Sequence, residues 1–222
     1  MKKLFAEALI KFTAGLVLVG ALVFLPAGSF AYWQGWLFMG ILFVPMFFAG
    51  LVMMAKNPGL LRSRLDAKEK QKDQNLVVKL SGLMFLAGFV VAGLGVRFGW
   101  YMLPKSAVFA AAAVFLIAYI LYAEVLRENT YLSRTIQVQE NQAVVDTGLY
   151  GVVRHPMYAV TLLLFLAMPL VLGSVYAFVI FLVYPFIIAK RIKGEEAFLE
   201  EELTGYREYK EKVKYRLIPF IW

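Results

Sequence analysis

Four apolar runs of 18 to 26 residues dominate the chain, at residues 8–25, 30–55, 76–98 and 107–126. A run of about 20 apolar residues is long enough to cross a bilayer as a helix. In lipid, every backbone N–H and C=O must be paired within the segment, so such runs are restricted to helices or closed barrels. Continuous apolar stretches, without strict alternation, select helices. Two further runs, 157–172 and 175–189, are separated only by Gly173-Ser174 and read as a tight hairpin turning within the bilayer. The expectation is an all-α polytopic membrane helix bundle of about six apolar segments, five to six of them spanning.

The rest of the composition fits that reading. The chain is 61% hydrophobic with a mean hydropathy of +0.70, against roughly 45–50% apolar residues in soluble domains. Its net charge of +8 would point to nucleic acid in a soluble protein. Here its distribution gives another cause. With six crossings, all but Arg97 and Lys105 of the 23 Lys and Arg residues fall on one face. Cytoplasmic loops carry that excess, so both termini are expected in the cytoplasm and no nucleic acid partner is expected. Met1-Lys-Lys starts like a signal peptide, but Pro26-Ala-Gly-Ser29 lacks the small-residue cleavage pattern, so a retained first helix is expected. Gly93, Gly95 and Gly99 lack dinucleotide spacing and read as small residues for helix packing.

Polar segments divide the chain. Residues 56–75 read as a solvated connector, opened by Pro58-Gly59. Residues 128–153 read as partly extended, with a turn at Asp146-Thr-Gly148. Residues 195–214 read as a cytoplasmic helix, or two broken at Gly205, and 217–222 as an apolar tail for the interface. A division follows into N-terminal transmembrane helices, 1–126, and a second region, 127–222, of cytoplasmic loop, membrane hairpin and C-terminal helical region.

Chemistry concentrates at the two ends of the hairpin. Before it stands Gly148-Leu-Tyr150-Gly-Val-Val-Arg154-His-Pro-Met-Tyr158, containing the chain's one histidine. Pro156 suits the first turn of a helix, whose unpaired N–H groups can receive an acceptor. After the hairpin stands Arg191-Ile-Lys-Gly194-Glu195-Glu196. Arg191 and Glu195 share a helix face and can pair, while Glu196 points about 100° away. Gly194 suits close approach of a ligand, or a kink. One His and no Cys leave too few ligands for zinc, so no metal is expected, and no nucleophile elbow supports hydrolysis. Glu124, Arg127 and Asn129 lie near enough the surface to snorkel, and Tyr206 and Tyr209, three apart, to anchor the terminal helix at the interface.

Taken in order, Arg127-Glu-Asn129, Gly148-x-Tyr150, Arg154-His-Pro-x-Tyr158, Leu172-Gly-Ser174, Arg191-x-x-x-Glu195-Glu196, Tyr206-x-x-Tyr209 and Arg216-Leu-Ile-Pro219 resemble the isoprenylcysteine carboxyl methyltransferase family, in its bacterial branch. The resemblance covers about residues 127–222. It implies S-adenosylmethionine as cofactor, bound by Gly148, Tyr150, His155, Pro156, Tyr158 and Glu196. It implies Arg191 and Glu195 as catalytic, Arg191, Tyr206 and Tyr209 as substrate-binding, and a lipid or prenylated acceptor methylated at the cytoplasmic face of a bacterial inner membrane. Family members often carry Gly two residues beyond the motif Tyr, where this chain has Val160. The wider superfamily includes phospholipid N-methyltransferases and sterol reductases, so lipid N- or S-methylation and NADPH-dependent reduction are the alternatives. A carboxylate acceptor is already anionic near neutral pH and needs alignment more than acid–base catalysis. A transporter or scaffold would place polar residues at mid-bilayer, and the apolar runs here carry almost none.

Overall fold

The computed structural model describes residues 2–66, 72–133 and 135–222, with only the backbone at 72 and 73. Lys68, Lys70 and Arg134, counted above among the charges of one face, lie outside the described residues. The described chain is all-helical: α1 Lys2–Ala27, α2 Trp33–Lys56, α3 Pro58–Leu65, α4 Lys72–Arg97, α5 Lys105–Glu128, α6 Pro156–Val171, α7 Val175–Phe181, α8 Tyr184–Glu202 and α9 Tyr206–Lys212. A single 3-10 turn, Gly148–Gly151, precedes α6. Five helical stretches are long and apolar enough to cross a membrane: α1, α2, Gln74–Arg97, α5, and Val175–Glu202, which joins α7 to α8. Large apolar side chains point outward from them, Phe186 at 75% exposure and Ile120 at 70%, which is the surface lipid requires. This is a multi-pass membrane protein.

The helices meet through aromatic rings and small residues. Phe38, Phe115 and Phe181 are fully buried, and ring pairs such as Phe85–Phe165 (4.8 Å) and Phe38–Phe89 (5.5 Å) tie α2, α4 and α6 together. Between lipid-bathed helices, packing replaces the hydrophobic drive, and small residues let backbones approach. Gly93 does this as expected: a Cβ there would lie 2.6 Å from the Val23 carbonyl oxygen of α1. At Gly88 a Cβ would lie 2.2 Å from the Phe181 ring.

The hairpin tip lies level with the loops that join the long helices. It meets the loops at the far end of the bundle: Leu103 N–H donates to the Gly173 carbonyl at 2.9 Å, Met102 bridges to Ser174, and the Tyr32 hydroxyl donates to the Leu172 carbonyl. Gly173 takes the left-handed conformation (φ +73°) the turn needs, and Ser174 Oγ caps α7 by accepting from Ala177 N–H. The short α6 reaches that end because it starts inside. Met157, in its first turn, shares the Arg64 side chain with Tyr122, six residues before the end of α5, an inset of about 9 Å.

Four local expectations change. The connector after α2 is not wholly solvated: residues 58–65 form α3, capped by the Asn57 side chain, with Leu60 and Leu61 buried. The sixth apolar run is two helices, interrupted at Leu182-Val183 where Pro185 in the first turn of α8 cannot continue α7. The expected separate helix from 195 is the continuation of α8, which runs unbroken to Glu202 before Gly205 (φ +85°) starts α9. Gly194 neither kinks α8 nor faces the polar pocket described below. It admits the Gln74 side chain of α4, whose Nε2 would lie 2.2 Å from a Cβ. The 128–153 segment forms no strand among its described residues.

Candidate active site

The segment before α6 is locked to the C-terminal stretch. Arg154 N–H donates to the Tyr215 carbonyl (2.8 Å) and His155 N–H to the Arg216 carbonyl (2.9 Å). Pro156 then fixes the first turn of α6, with His155 as its N-cap. Upstream, Gly148 (φ +52°) lies against Glu128, whose carboxylate accepts from Leu149 N–H at 2.9 Å. A Cβ at 148 would fall within 1.6 Å of that carboxylate. Gly148 thus serves the turn, and Glu128 anchors it.

Glu196 is enclosed by two arginines and the histidine. Its Oε1 accepts from Arg154 Nε (2.7 Å) and lies 3.2 Å from His155 Nε2, while Oε2 accepts from Arg216 Nε at 2.8 Å. Arg154 also donates to the Val213 carbonyl at 2.6 Å. Arg154, His155 and Glu196 are all buried. A buried carboxylate is tolerated when such partners satisfy it. One acid thereby ties the α6 start, α8 and the C-terminal stretch together.

Glu195, one position earlier and turned away, meets a different set. The Tyr158 hydroxyl donates to Glu195 Oε2 and accepts from Arg191 Nε at 2.9 Å. The expected partnership of Arg191 and Glu195 is therefore made on one phenol. Below it, Thr161 Oγ1 donates to the Tyr158 carbonyl and receives the Tyr184 hydroxyl at 3.0 Å. The His155 ring lies 5.7 Å from that of Tyr158.

Two spaces adjoin this phenol. On the polar side a pocket of about 90 Å³ is bounded by His155, Tyr158, Glu195, Tyr150, Tyr206 and Tyr209, and roofed by the loop through Ser133, Thr135 and Gln142. On the membrane side a cavity of about 800 Å³ runs between α1, α2, α3, α4, α5, α6 and α8, with Tyr158, Arg191 and Arg64 on its wall. Thr135, Met157 and Tyr158 border both. Glu195 faces only the polar pocket and Arg191 only the apolar cavity. Glu196 borders neither.

Tyr206 and Tyr209 belong to the polar side. The Tyr209 hydroxyl donates to the Tyr150 carbonyl at 2.8 Å, and Tyr206 Oη is buried with no hydrogen-bond partner among the described residues. Burial pushes all three phenols up, and the Glu196 and Glu195 charges add to the rise at Tyr206. They stay neutral donors at physiological pH.

Sequence reasoning gave no site role to Arg154, Arg216 or Glu128, although all three lie within the motif residues quoted above. Arg64 was missed because its helix read as a loop. Its signal was Leu60-Leu61 directly after Asn57-Pro58, a capped helix start with an apolar face.

Fold and cluster together define a class: a helical membrane protein with an ionic cluster at one end of the bundle, between a polar pocket and a lipid-sized cavity. Residues 106–204, α5 through the end of α8, match the family model for phospholipid methyltransferases. That match, over just under half the chain, supports methyl transfer at a membrane with a lipid as acceptor. No curated protein matches the chain.

Proposed function

We propose that the protein transfers a methyl group from S-adenosylmethionine, taken into the polar pocket, to a lipophilic acceptor lying in the apolar cavity. One observation carries this: two spaces, one of mixed lining that holds Glu195 and one mainly apolar that holds Arg191, share the Tyr158 wall. Cavities of about 300–1,000 Å³ hold small molecules, and the membrane-side cavity is of that size. The polar pocket is smaller, so a nucleoside requires the residues above it, Ser133, Thr135 and Gln142, to lift. The donor set suits the cofactor. Glu195 offers an anion to its cationic parts, and Tyr206 Oη is a buried phenol awaiting a partner. His155, Tyr158 and Tyr150 line the same pocket, while Pro156 and Gly148 shape the turns that present them. Glu196, saturated by Arg154, His155 and Arg216, acts as a positioning residue.

When bound, S-adenosylmethionine supplies the methyl carbon: a new bond forms from the acceptor's lone pair as the carbon–sulfur pair returns to sulfur. The chain's part is alignment and exclusion of water. Arg191 suits an acceptor carboxylate because its planar fork matches one, and Tyr158 with Glu195 holds Arg191 in place. Carboxyl O-methylation of an isoprenylcysteine-like lipid is thus the reading the residues favour. The family match favours a second, N-methylation of a headgroup amine, in which Glu195 would take the proton through Tyr158. The positive-inside distribution of Lys and Arg supports reading this site as cytoplasmic.

The test is tritiated S-adenosylmethionine with purified protein in lipid nanodiscs, offered farnesylcysteine analogues and phosphatidylethanolamine separately. Base-labile methyl ester on the first supports the leading reading, and base-stable label on the second supports the alternative. Label on neither, with no S-adenosylmethionine binding by calorimetry, rejects both.

A further inference from the structure

The apolar cavity has a one-signed wall. Lys11, Arg64 and Arg191 line it, and no Asp or Glu does among the described residues. Lys11 is answered by Glu7, its Nζ 2.6 Å from that carboxylate and 2.7 Å from the Leu65 carbonyl. Arg191 is engaged with Tyr158. Arg64 has a different setting. Its guanidinium donates to the Tyr122 hydroxyl, to the Ser133 carbonyl at a long 3.3 Å and towards Met157 Sδ at 3.7 Å, and it stacks over the Tyr122 ring at 5.7 Å. These partners are a phenol, a carbonyl and a thioether. No described carboxylate forms an ion pair with Arg64, although it is only half exposed.

A partly desolvated cation surrounded by neutral groups is costly, and the cost falls when an anion arrives. Arginine is also the side chain best shaped for carboxylate or phosphate oxygens. Arg64 stands at the polar end of the cavity, on Met157, which borders the pocket across the Tyr158 wall. Chains entering between α1, α2 and α4 lie among Phe12, Met46 and Phe85, which leaves a headgroup at Arg64.

We propose that Arg64 is a specificity-determining residue that binds the anionic oxygen group, phosphate or carboxylate, of a lipid occupying this cavity. The proposal rests on the reading of the cavity as the acceptor site, but it concerns binding and is measured without S-adenosylmethionine. The probes are dioleoyl phosphatidic acid, oleic acid and uncharged dioleoylglycerol, titrated into the detergent-purified protein and followed by native mass spectrometry.

Both anionic lipids are expected to bind about tenfold or more tighter than dioleoylglycerol. Arg64→Met should shrink that preference to twofold or less while dioleoylglycerol binding and the melting temperature hold. Arg64→Lys should restore part of the preference, and Arg62→Met, on the exposed face of α3, should leave it intact. Inorganic phosphate at millimolar concentration should not displace the lipids. The proposal is overturned if the wild-type protein does not prefer anionic lipids, or if Arg64→Met retains the preference. Displacement by inorganic phosphate alone would overturn the lipid assignment in favour of a free-anion site. Failed methyl transfer with the Arg64-dependent preference intact would reject the proposed reaction and leave this subsite standing.

Discussion

The bundle and its polar end are built on different physics. In the bundle, rings and glycines interdigitate: Gly93 meets the α1 backbone, Gly88 meets Phe181, and lipid surrounds the outside. At the polar end a single carboxylate, Glu196, gathers Arg154, His155 and Arg216. A small separate apolar cluster of Leu203, Tyr206, Tyr209 and Val213 joins α9 to the loop at Val138 and Val144. Packing spread over many contacts tolerates local loss. A hub of charge does not, because removing one member strands the others.

The largest effect expected from that contrast is at the hub. Glu196→Ala leaves buried Arg154 without its partner, and breaking such a cluster costs about 3–5 kcal/mol. Hydrogen exchange should rise sharply in residues 150–158 and 206–218 while α1, α2 and α5 stay protected. Uniform loss of protection would mean the two regions are not separable.

Next is Tyr158→Phe, which removes the phenol oxygen shared by Glu195 and Arg191 and little else. Methyl transfer should fall about 100-fold, as misalignment does, with an almost unchanged melting temperature. A comparable fall in melting temperature would recast Tyr158 as structural.

Gly88→Val forces side-chain atoms onto Phe181 and should cost about 1–3 kcal/mol, the scale of overpacking. Its signature is the reverse of Glu196→Ala, exchange rising in α4 and α7 first. Gly194→Ala pushes on Gln74 and should cost less, since an amide can move. The double variant Gly194→Ala with Gln74→Ala should recover the loss, and failure to recover it would show that Gly194 has another role.

The smallest effect is Lys212→Ala. The Lys212–Asp146 pair (2.6 Å) is exposed, and Lys212 holds the Asp146 carboxyl below its usual range chiefly through their hydrogen bond. A depressed carboxylate contributes stability above its unfolded pKa that is lost as pH falls through the folded value. Exposed pairs contribute little, so the melting temperature should not move measurably at pH 7, in low or high salt.

What could be seen in the chain beforehand follows the same divide. Apolar runs declare themselves by length, so α1, α2, α4 and α5 were legible, with ends off by up to six residues where polar residues extend the helix, as at Lys2. The hairpin was legible from Gly173-Ser174, but its depth was not, because depth depends on where α6 starts relative to α5. The candidate residues His155, Tyr158, Arg191, Glu195 and Glu196, picked from two separate motifs, do lie together. Helix geometry already turned the adjacent acids at 195 and 196 apart, but not towards what: the structure sends Glu195 to the pocket and Glu196 to Arg154, His155 and Arg216. Arg64 was invisible as a wall residue because the cavity it borders is formed by seven helices that no local pattern relates.

The shared phenol wall also has a kinetic consequence. On the proposed reaction each reagent would have its own space, one beneath the loop through Ser133, Thr135 and Gln142 and the other among the membrane helices, so neither would block the other's approach and addition should follow no obligatory order. Swelling the micelles with extra detergent should then dilute the oily reagent alone, raising its apparent KM while that of the water-borne one stays put.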